Sequence, residues 1–299
     1  MLQSVAKSDS GNDIPTPAEL VERARAFRSM LRDQQGACEE RGYPSAETAK
    51  AIREAGLFRI LTPKAYGGYE MTLPDFYAVI MEIARGCPST GWWYALGAGH
   101  AVQVASYMEK PGQDEIFGKG ADFSAPWSFN TQNAVATRVD GGYRVSGKWS
   151  FCSGAPHADY FMGGMSMPND EGKTDRHGNS WVSPTLTVIV PKGSFEVLED
   201  WGDMLGMRGS GSNGVVLTDV FVPDHMTIKM NRASTLFGDT PGTALHNGSP
   251  LYGGLFNAFA EGSLAAMAVG TAQAAIDEYV HIMKTKTAGL TGTLRLDVP

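Results

Sequence analysis

The sequence predicts an α+β fold with helices and strands segregated along the chain. Three observations carry that prediction. Apolar residues recur at three- and four-residue spacing through roughly the first 120 positions. From about Ala121 the period changes to two, punctuated by glycine and proline, and from Phe256 a long helical pattern returns. Such runs argue against alternating βαβ units, and no G-x-G-x-x-G or P-loop joins a strand to a helix. The expected organisation is a helical N-terminal domain over 1–120, a small central β domain over 121–232 and a helical bundle segment over 233–299.

The elements follow in order. Leu20, Ala24, Phe27 and Leu31 share a helix face behind Thr16 as cap and Pro17 in the first turn. Ser45 caps a second helix that ends near Gly56. "LPDFYAVIMEIARG" is a third, and "STGWWYALGAGHAVQVASYM" is apolar on nearly every face, which predicts a buried helix. In "ATRVDGGYRVSGKWSF" the alternation of Val135, Thr137 and Val139, the "DGG" turn, and then Tyr143 and Val145 predict a hairpin. "LTVIVPKGSFEVLEDW" and "GVVLTDVFVPDHMTI" add short strands. After a Gly/Ser/Thr/Pro-rich connection over 233–249, "FNAFAEGSLAAMAVGTAQAAIDEYVHIMK" reads as one long helix. Its small side chains suit close packing inside a bundle, against the N-terminal helices or another subunit.

Composition narrows the function. With 25 Lys+Arg against 32 Asp+Glu the net charge is −7 and no basic run is present, so nucleic acid is not an expected partner. Cys38, Cys87 and Cys152 form no C-x-x-C pair and indicate neither a disulfide framework nor a metal site. The polar N-terminus and the lack of a long apolar run predict a cytoplasmic protein without a membrane anchor.

Several residues carry potential chemistry. Phe151 and Ser153, two apart at a strand end, would present a ring and a hydroxyl from one face, suiting a flat heterocycle with a polar edge. They read equally as a core aromatic and a turn serine bonded to its own backbone. "GMRGSGSNG" over 206–214 offers amides and Arg208 to an anion, or is a plain loop. His100 follows Trp92, Trp93 and Tyr94 on an apolar helix. It is either a hydrogen-bonded core residue or an imidazole placed against a phenol-like substrate. His157 and His225 read as surface residues, and Cys152 as a packing residue facing away from Ser153.

Four segments in order, "EAGLFRILTPKAYGGYE" (54–70), "EIARGCPSTGWWYALGAGHA" (82–101), "GGYRVSGKWSFCSGAPHADYF" (141–161) and "WGDMLGMRGSGSNGVVLTDVFVP" (201–223), resemble the acyl-CoA dehydrogenase superfamily. Within it they resemble the oxygenase components of two-component flavin-dependent aromatic monooxygenases. The resemblance runs from about Pro15 to Lys284. It implies a helical domain, a central β-barrel or sandwich and a C-terminal helical bundle, with reduced flavin between the β domain and the bundle. It implies that Phe151 packs beside the flavin ring and Ser153 meets its N5. By the same resemblance Ser124 contacts the ring, Trp92 and Phe256 line the flavin pocket, and His100, with Trp93 and Ser124, contacts the substrate.

The activity implied is hydroxylation of a phenol- or indole-like substrate with reduced FMN or FAD and O2 through a C4a-hydroperoxide. Ser153 protects that species and His100 polarises the ring. A separate flavin reductase supplies the cofactor, and the assembly expected is a homotetramer or homodimer. Such relatives extend past the last residue of this chain, so its bundle is expected to be incomplete, and Gly253 stands where they carry an arginine before a Pro-Phe pair. The alternatives are an FAD-dependent acyl-CoA dehydrogenase, which needs a carboxylate base, and a weakly active flavin-binding paralogue.

Overall fold

Helix α1 (Pro17–Arg25) starts with a capping box: Thr16 Oγ1 accepts from the Glu19 amide and the Glu19 carboxylate accepts from the Thr16 amide at 2.7 Å. The computed structural model describes residues 14–166, 185–230 and 238–287; both chain ends and the start of the 233–249 connection lie outside them. The helical pattern after α1 resolves into separate pieces, α2 (Arg28–Asp33) and α3 (Gln35–Arg41). The breaks turn the chain around its neighbour, so that Leu20, Ala24, Phe27, Leu31 and Cys38 all stay buried. Ser45 caps α4 (Ala46–Glu54), which stops ahead of Gly56 at φ +77°.

A second capping box, Thr72 with Asp75, opens α5 (Leu73–Gly86). The expected single buried helix after it is two, α6 (Pro88–Gly99) and α7 (Ala101–Tyr107), broken at His100. Three glycines within α6 lower its helical propensity, and at two of them, Gly91 and Gly99, neighbours leave no room for a side chain. A Cβ at Gly91 would lie 2.6 Å from Ala84 Cβ, and one at Gly99 2.3 Å from a Phe259 ring carbon. Helix α8 (Lys110–Phe117) closes the helical region.

Two four-stranded sheets follow. One has the order β1 (Trp127–Ser128), β4 (Tyr160–Ser166), β5 (Thr185–Pro191), β8 (Thr227–Met230), with β1 and β4 parallel. The other runs β2 (Thr131–Val139), β3 (Gly142–Trp149), β7 (Val215–Pro223), β6 (Glu196–Val197) and is antiparallel. The hairpin turn is Asp140–Gly141, with Val139 opposite Gly142. Strand β2 turns Val135 and Thr137 outward. An irregularity between Gln132 and Val135, with Asn133 at φ +54°, shifts the register, leaving Val135 exposed while Ala134 and Ala136 turn toward the core. Trp149, fully buried, donates its indole N–H to Gly164 O of the other sheet at 2.9 Å and joins the two sheets.

After the short α9 (Pro241–Leu245), helix α10 (Phe256–Thr285) lies along α5 and α6. A Cβ at Gly270 would come within 2.5 Å of Met81 O, so the two backbones are nearly in contact. Arg85 clasps Asp277 with two hydrogen bonds of 2.6 and 2.7 Å. The far side of α10 exposes Leu264, Val269, Ile276, Tyr279 and Val280. No helix among the described residues is long and apolar enough to cross a membrane.

Candidate active site

Helix α6 is the spine of the site. Trp92, Leu96 and His100 are spaced i, i+4, i+8 and share one face over about 12 Å of helix. At its N-terminal end Trp92 donates its indole N–H to Ser153 Oγ at 2.8 Å. Ser153 Oγ lies 2.7 Å from Ser212 Oγ, which lies 2.7 Å from Ser210 Oγ. All three serines are buried, so Trp92–Ser153–Ser212–Ser210 is a continuous hydroxyl relay inside the protein.

Two loops docked on each other make this relay. Strand β3 ends at Trp149, Phe151 takes a left-handed conformation at φ +58°, and the Cys152 amide bonds to Asn213 O. Gly154, at φ +90°, donates its amide to the carbonyls of Ser210 and Gly211; a Cβ there would touch Trp93 at 3.0 Å. The left-handed turn ends the strand alternation, so Phe151 and Ser153 do not share a face. Phe151 is about half exposed and meets Trp201 edge-on at 6.0 Å. Arg208 donates to Gly202 O on the surface, and the 206–214 segment contributes the hydroxyls of Ser210 and Ser212.

At the other end of α6, His100 Nδ1 lies 2.8 Å from Ala125 O, which fixes Nδ1 as the protonated nitrogen and leaves Nε2 as an acceptor. Burial pushes the imidazole pKa down to about 4, against a smaller opposing effect of that bond. Its ring packs edge-on against Trp127 at 5.7 Å and Phe259 at 5.4 Å, and Trp127 meets Phe129 at 5.1 Å and Phe256 at 5.4 Å. Phe256 is therefore joined to His100 through Trp127.

Between the two ends, Ser124 is wholly buried against α6. Its backbone holds the strand start through Asp159 and Tyr160, while its Oγ has no partner among the described residues. The indole N–H of Trp127 is also buried and unpartnered. Unmet polar atoms of this kind ask for a ligand. The hydroxyls of Ser124 and Ser153, the Trp127 N–H and the flanking rings fit a flat heterocycle with hydrogen-bonding edges, the chemistry of a flavin ring system.

Trp93 does not join this face. One helix position turns it about 100° from Trp92, and it sits fully buried between Phe58 at 5.3 Å and His157 at 6.1 Å. His157 and His225 are not free surface groups: His157 Nε2 bonds to Pro44 O, and His225 Nε2 to Glu115, each at 2.7 Å. Cys152 is buried, and burial pushes its thiol up to about 12. Residue spacing had pointed to neither Ser210, Ser212 nor Trp127; the Gly/Ser richness of 206–214 was the one signal for the two serines.

Residues 16–116 match the family model described as "Acyl-CoA dehydrogenase, N-terminal domain". The chain is 30% identical over 280 residues to the flavin-dependent monooxygenase, oxygenase subunit HsaA, of Rhodococcus jostii, covering 93% of this chain and 69% of that one. It is 29% identical to the oxygenase component of p-hydroxyphenylacetate 3-hydroxylase of Acinetobacter baumannii, covering 82% of this chain and 55% of that one. The structure of XiaF from Streptomyces sp. in complex with FADH2 and glycerol superposes with a TM-score of 0.71 at 28% identity, covering 93% of this chain and 67% of that one. The chain thus spans between about half and about two thirds of the length of these relatives.

Proposed function

The chain belongs to the flavin-dependent monooxygenase oxygenase subunits built on the acyl-CoA dehydrogenase fold, and from that premise we propose that it hydroxylates a phenol- or indole-like aromatic with reduced flavin and O2. The observation that carries the reading is the convergence on one face of α6 of the Trp92–Ser153 hydrogen bond, the unpartnered Ser124 hydroxyl and the neutral His100. Reduced FMN or FAD, delivered by a separate reductase, would supply the two electrons that activate O2, one atom of which is transferred to the substrate while the other leaves as water.

The residues of this chain have four tasks. Ser153, Ser124, Trp92 and Phe256 would hold the flavin ring system, and the half-exposed Phe151 would pack beside it. Ser153 holds a proton in a set direction: when Ser210 donates to Ser212 and Ser212 to Ser153, both Ser153 lone pairs are taken, by Ser212 and by Trp92. Its own O–H is then left to donate into the site. The rings of Trp127, Phe129, Phe256 and Phe259 exclude water around the reacting centre.

His100 accepts a hydrogen bond at Nε2 from the hydroxyl or N–H of the substrate. A phenol near pKa 10 facing an imidazole near 4 is about six units, or roughly 8 kcal/mol, from full proton transfer. His100 therefore polarises the substrate and orients it, without taking the proton in the ground state. A dehydrogenase acting on thioesters would require a carboxylate base here, and no carboxylate among the described residues bonds to His100, Ser153 or Trp92.

The exposed apolar face of α10 suits association of several copies into a homodimer or homotetramer, which light scattering would read directly. The deciding experiment supplies the protein with chemically reduced FMN or FAD, air and a panel of phenols and indoles. Hydroxylated product is expected; peroxide alone with every substrate would overturn the reading.

A further inference from the structure

Two polar ring atoms at the His100 end of α6 have no partner among the described residues, and their rings are in contact. One is the Trp127 indole N–H, buried and unmet. The other is His100 Nε2, an acceptor because Nδ1 carries the proton given to Ala125 O. The two rings meet edge-on, with 5.7 Å between centres and 82° between planes.

Local structure fixes that meeting. Ala125 is pinned to α6 through both of its backbone groups: its amide donates to Gly97 O at 3.1 Å, and its carbonyl accepts from His100 Nδ1 at 2.8 Å. Pro126 then sets the backbone direction, and the Met162 amide of β4 donates to its carbonyl at 3.0 Å. Trp127, opposite Met162 in register, starts β1 from this fixed point. Its other ring contacts are Phe129 at 5.1 Å and Phe256 at 5.4 Å, and neither offers more than a weak π acceptor. Ser124 Oγ stands further back along α6, where a Cβ on Gly97 would lie 3.2 Å from it.

From this pairing we propose that Trp127 is a specificity-determining residue: its N–H and His100 Nε2 share one oxygen of the substrate, a hydroxyl that accepts from Trp127 and donates to His100. A 5.7 Å separation of ring centres is a span that two hydrogen bonds of about 2.9 Å, meeting on one oxygen, can cover. The inference rests on the proposed function and narrows its substrate class from phenol- or indole-like aromatics to hydroxyarenes. The hydrogen-bond inventory of the two classes decides between them. An aryl hydroxyl has one proton to give and lone pairs with which to receive, so it satisfies both ring atoms at once. An indole N–H can only donate; it meets His100 and leaves the Trp127 N–H buried without a partner. A buried donor left unmet lowers affinity by roughly tenfold or more, and a site built around a substrate hydroxyl discriminates on that basis.

Binding in the absence of O2 tests this. The chain, with reduced FMN or FAD under anaerobic conditions, is titrated calorimetrically with 2-naphthol, indole and naphthalene. The wild type is expected to bind 2-naphthol about tenfold more tightly than indole. Trp127→Phe, which keeps an aromatic ring and removes the N–H, should weaken 2-naphthol about tenfold and leave indole and naphthalene within about twofold. Trp127→His, which restores a ring N–H, should recover part of the preference. Equal binding of 2-naphthol and indole by the wild type overturns the proposal, whether or not the variants fold. A loss of the same size for all three arenes in Trp127→Phe also overturns it, since that is packing alone. If the arenes bind alike while phenols are still hydroxylated in air, the proposed function stands and the role of Trp127 falls. If air yields peroxide alone yet 2-naphthol binding depends on Trp127 in this way, the hydroxyl site stands and the hydroxylase reading falls.

Discussion

Trp92 and Ser153, sixty-one positions apart, are joined by a 2.8 Å hydrogen bond from the indole N–H to the hydroxyl oxygen. The bond ties the face of α6 to the loop after β3 and sets the direction in which Ser153 can donate. Ser153→Ala removes the acceptor and leaves the partly buried indole N–H unmet, a cost of about 1–3 kcal/mol. Product formed per reduced flavin is expected to fall about tenfold, with peroxide rising to match. Ser212→Ala, which keeps Ser153, should give a smaller loss of the same kind. Equal coupling in Ser153→Ala and the wild type, measured by product and peroxide assay, would restrict Ser153 to a structural role.

His100 gives a pH dependence whose sign follows from its surroundings. Its pKa is near 4 when folded and 6.5 for an ordinary histidine, so between these values the unfolded chain binds more protons. Stability is therefore full above about pH 6.5 and is lost as pH falls toward 4, by up to about 3 kcal/mol from this group. His100→Gln should flatten that acid limb in denaturant titrations run across the window. The same variant is expected to raise KM for a phenolic substrate at neutral pH more than it lowers the rate of O2 consumption.

Gly99 marks the contact of α6 with α10. A methyl there would meet the Phe259 ring at 2.3 Å, and Phe259 packs on His100 at 5.4 Å. Gly99→Ala is expected to cost about 1–3 kcal/mol by overpacking, in spite of the better helix propensity of alanine. A melting temperature unchanged from wild type would mean that Phe259 moves aside freely.

Arg85 and Asp277 hold the second half of α10 to α5 with a bidentate ion pair. Both side chains are partly exposed, so a double-mutant cycle with Arg85→Met and Asp277→Asn should return a coupling of only about 0.5–1 kcal/mol. The larger effect is expected locally, as faster amide exchange along the C-terminal turns of α10 in either variant.

Much of the fold was legible because its signals are local. Thr16, Ser45 and Thr72 mark helix starts through bonds to residues three positions on, and Asp140–Gly141 marks the hairpin through its own backbone conformation. The same locality explains the misreadings. Val135 alternates correctly, yet a bulge at Asn133 turns it outward, and Trp93 adjoins Trp92 but points into a different core.

Taken by itself, the sequence determined the order of helices and strands, the caps that bound most of them, and four family-like segments with His100, Ser124 and Ser153 among or between them. The tertiary structure alone decided which side chains share a site. Ser153 meets Ser212 across fifty-nine positions, and Gly209, beside Ser210, lies so close to α3 that a Cβ there would stand 2.5 Å from Cys38 Sγ. Period and capping act within a few residues of the chain. A hydroxyl relay depends on how closely two distant segments dock, and that is set by packing.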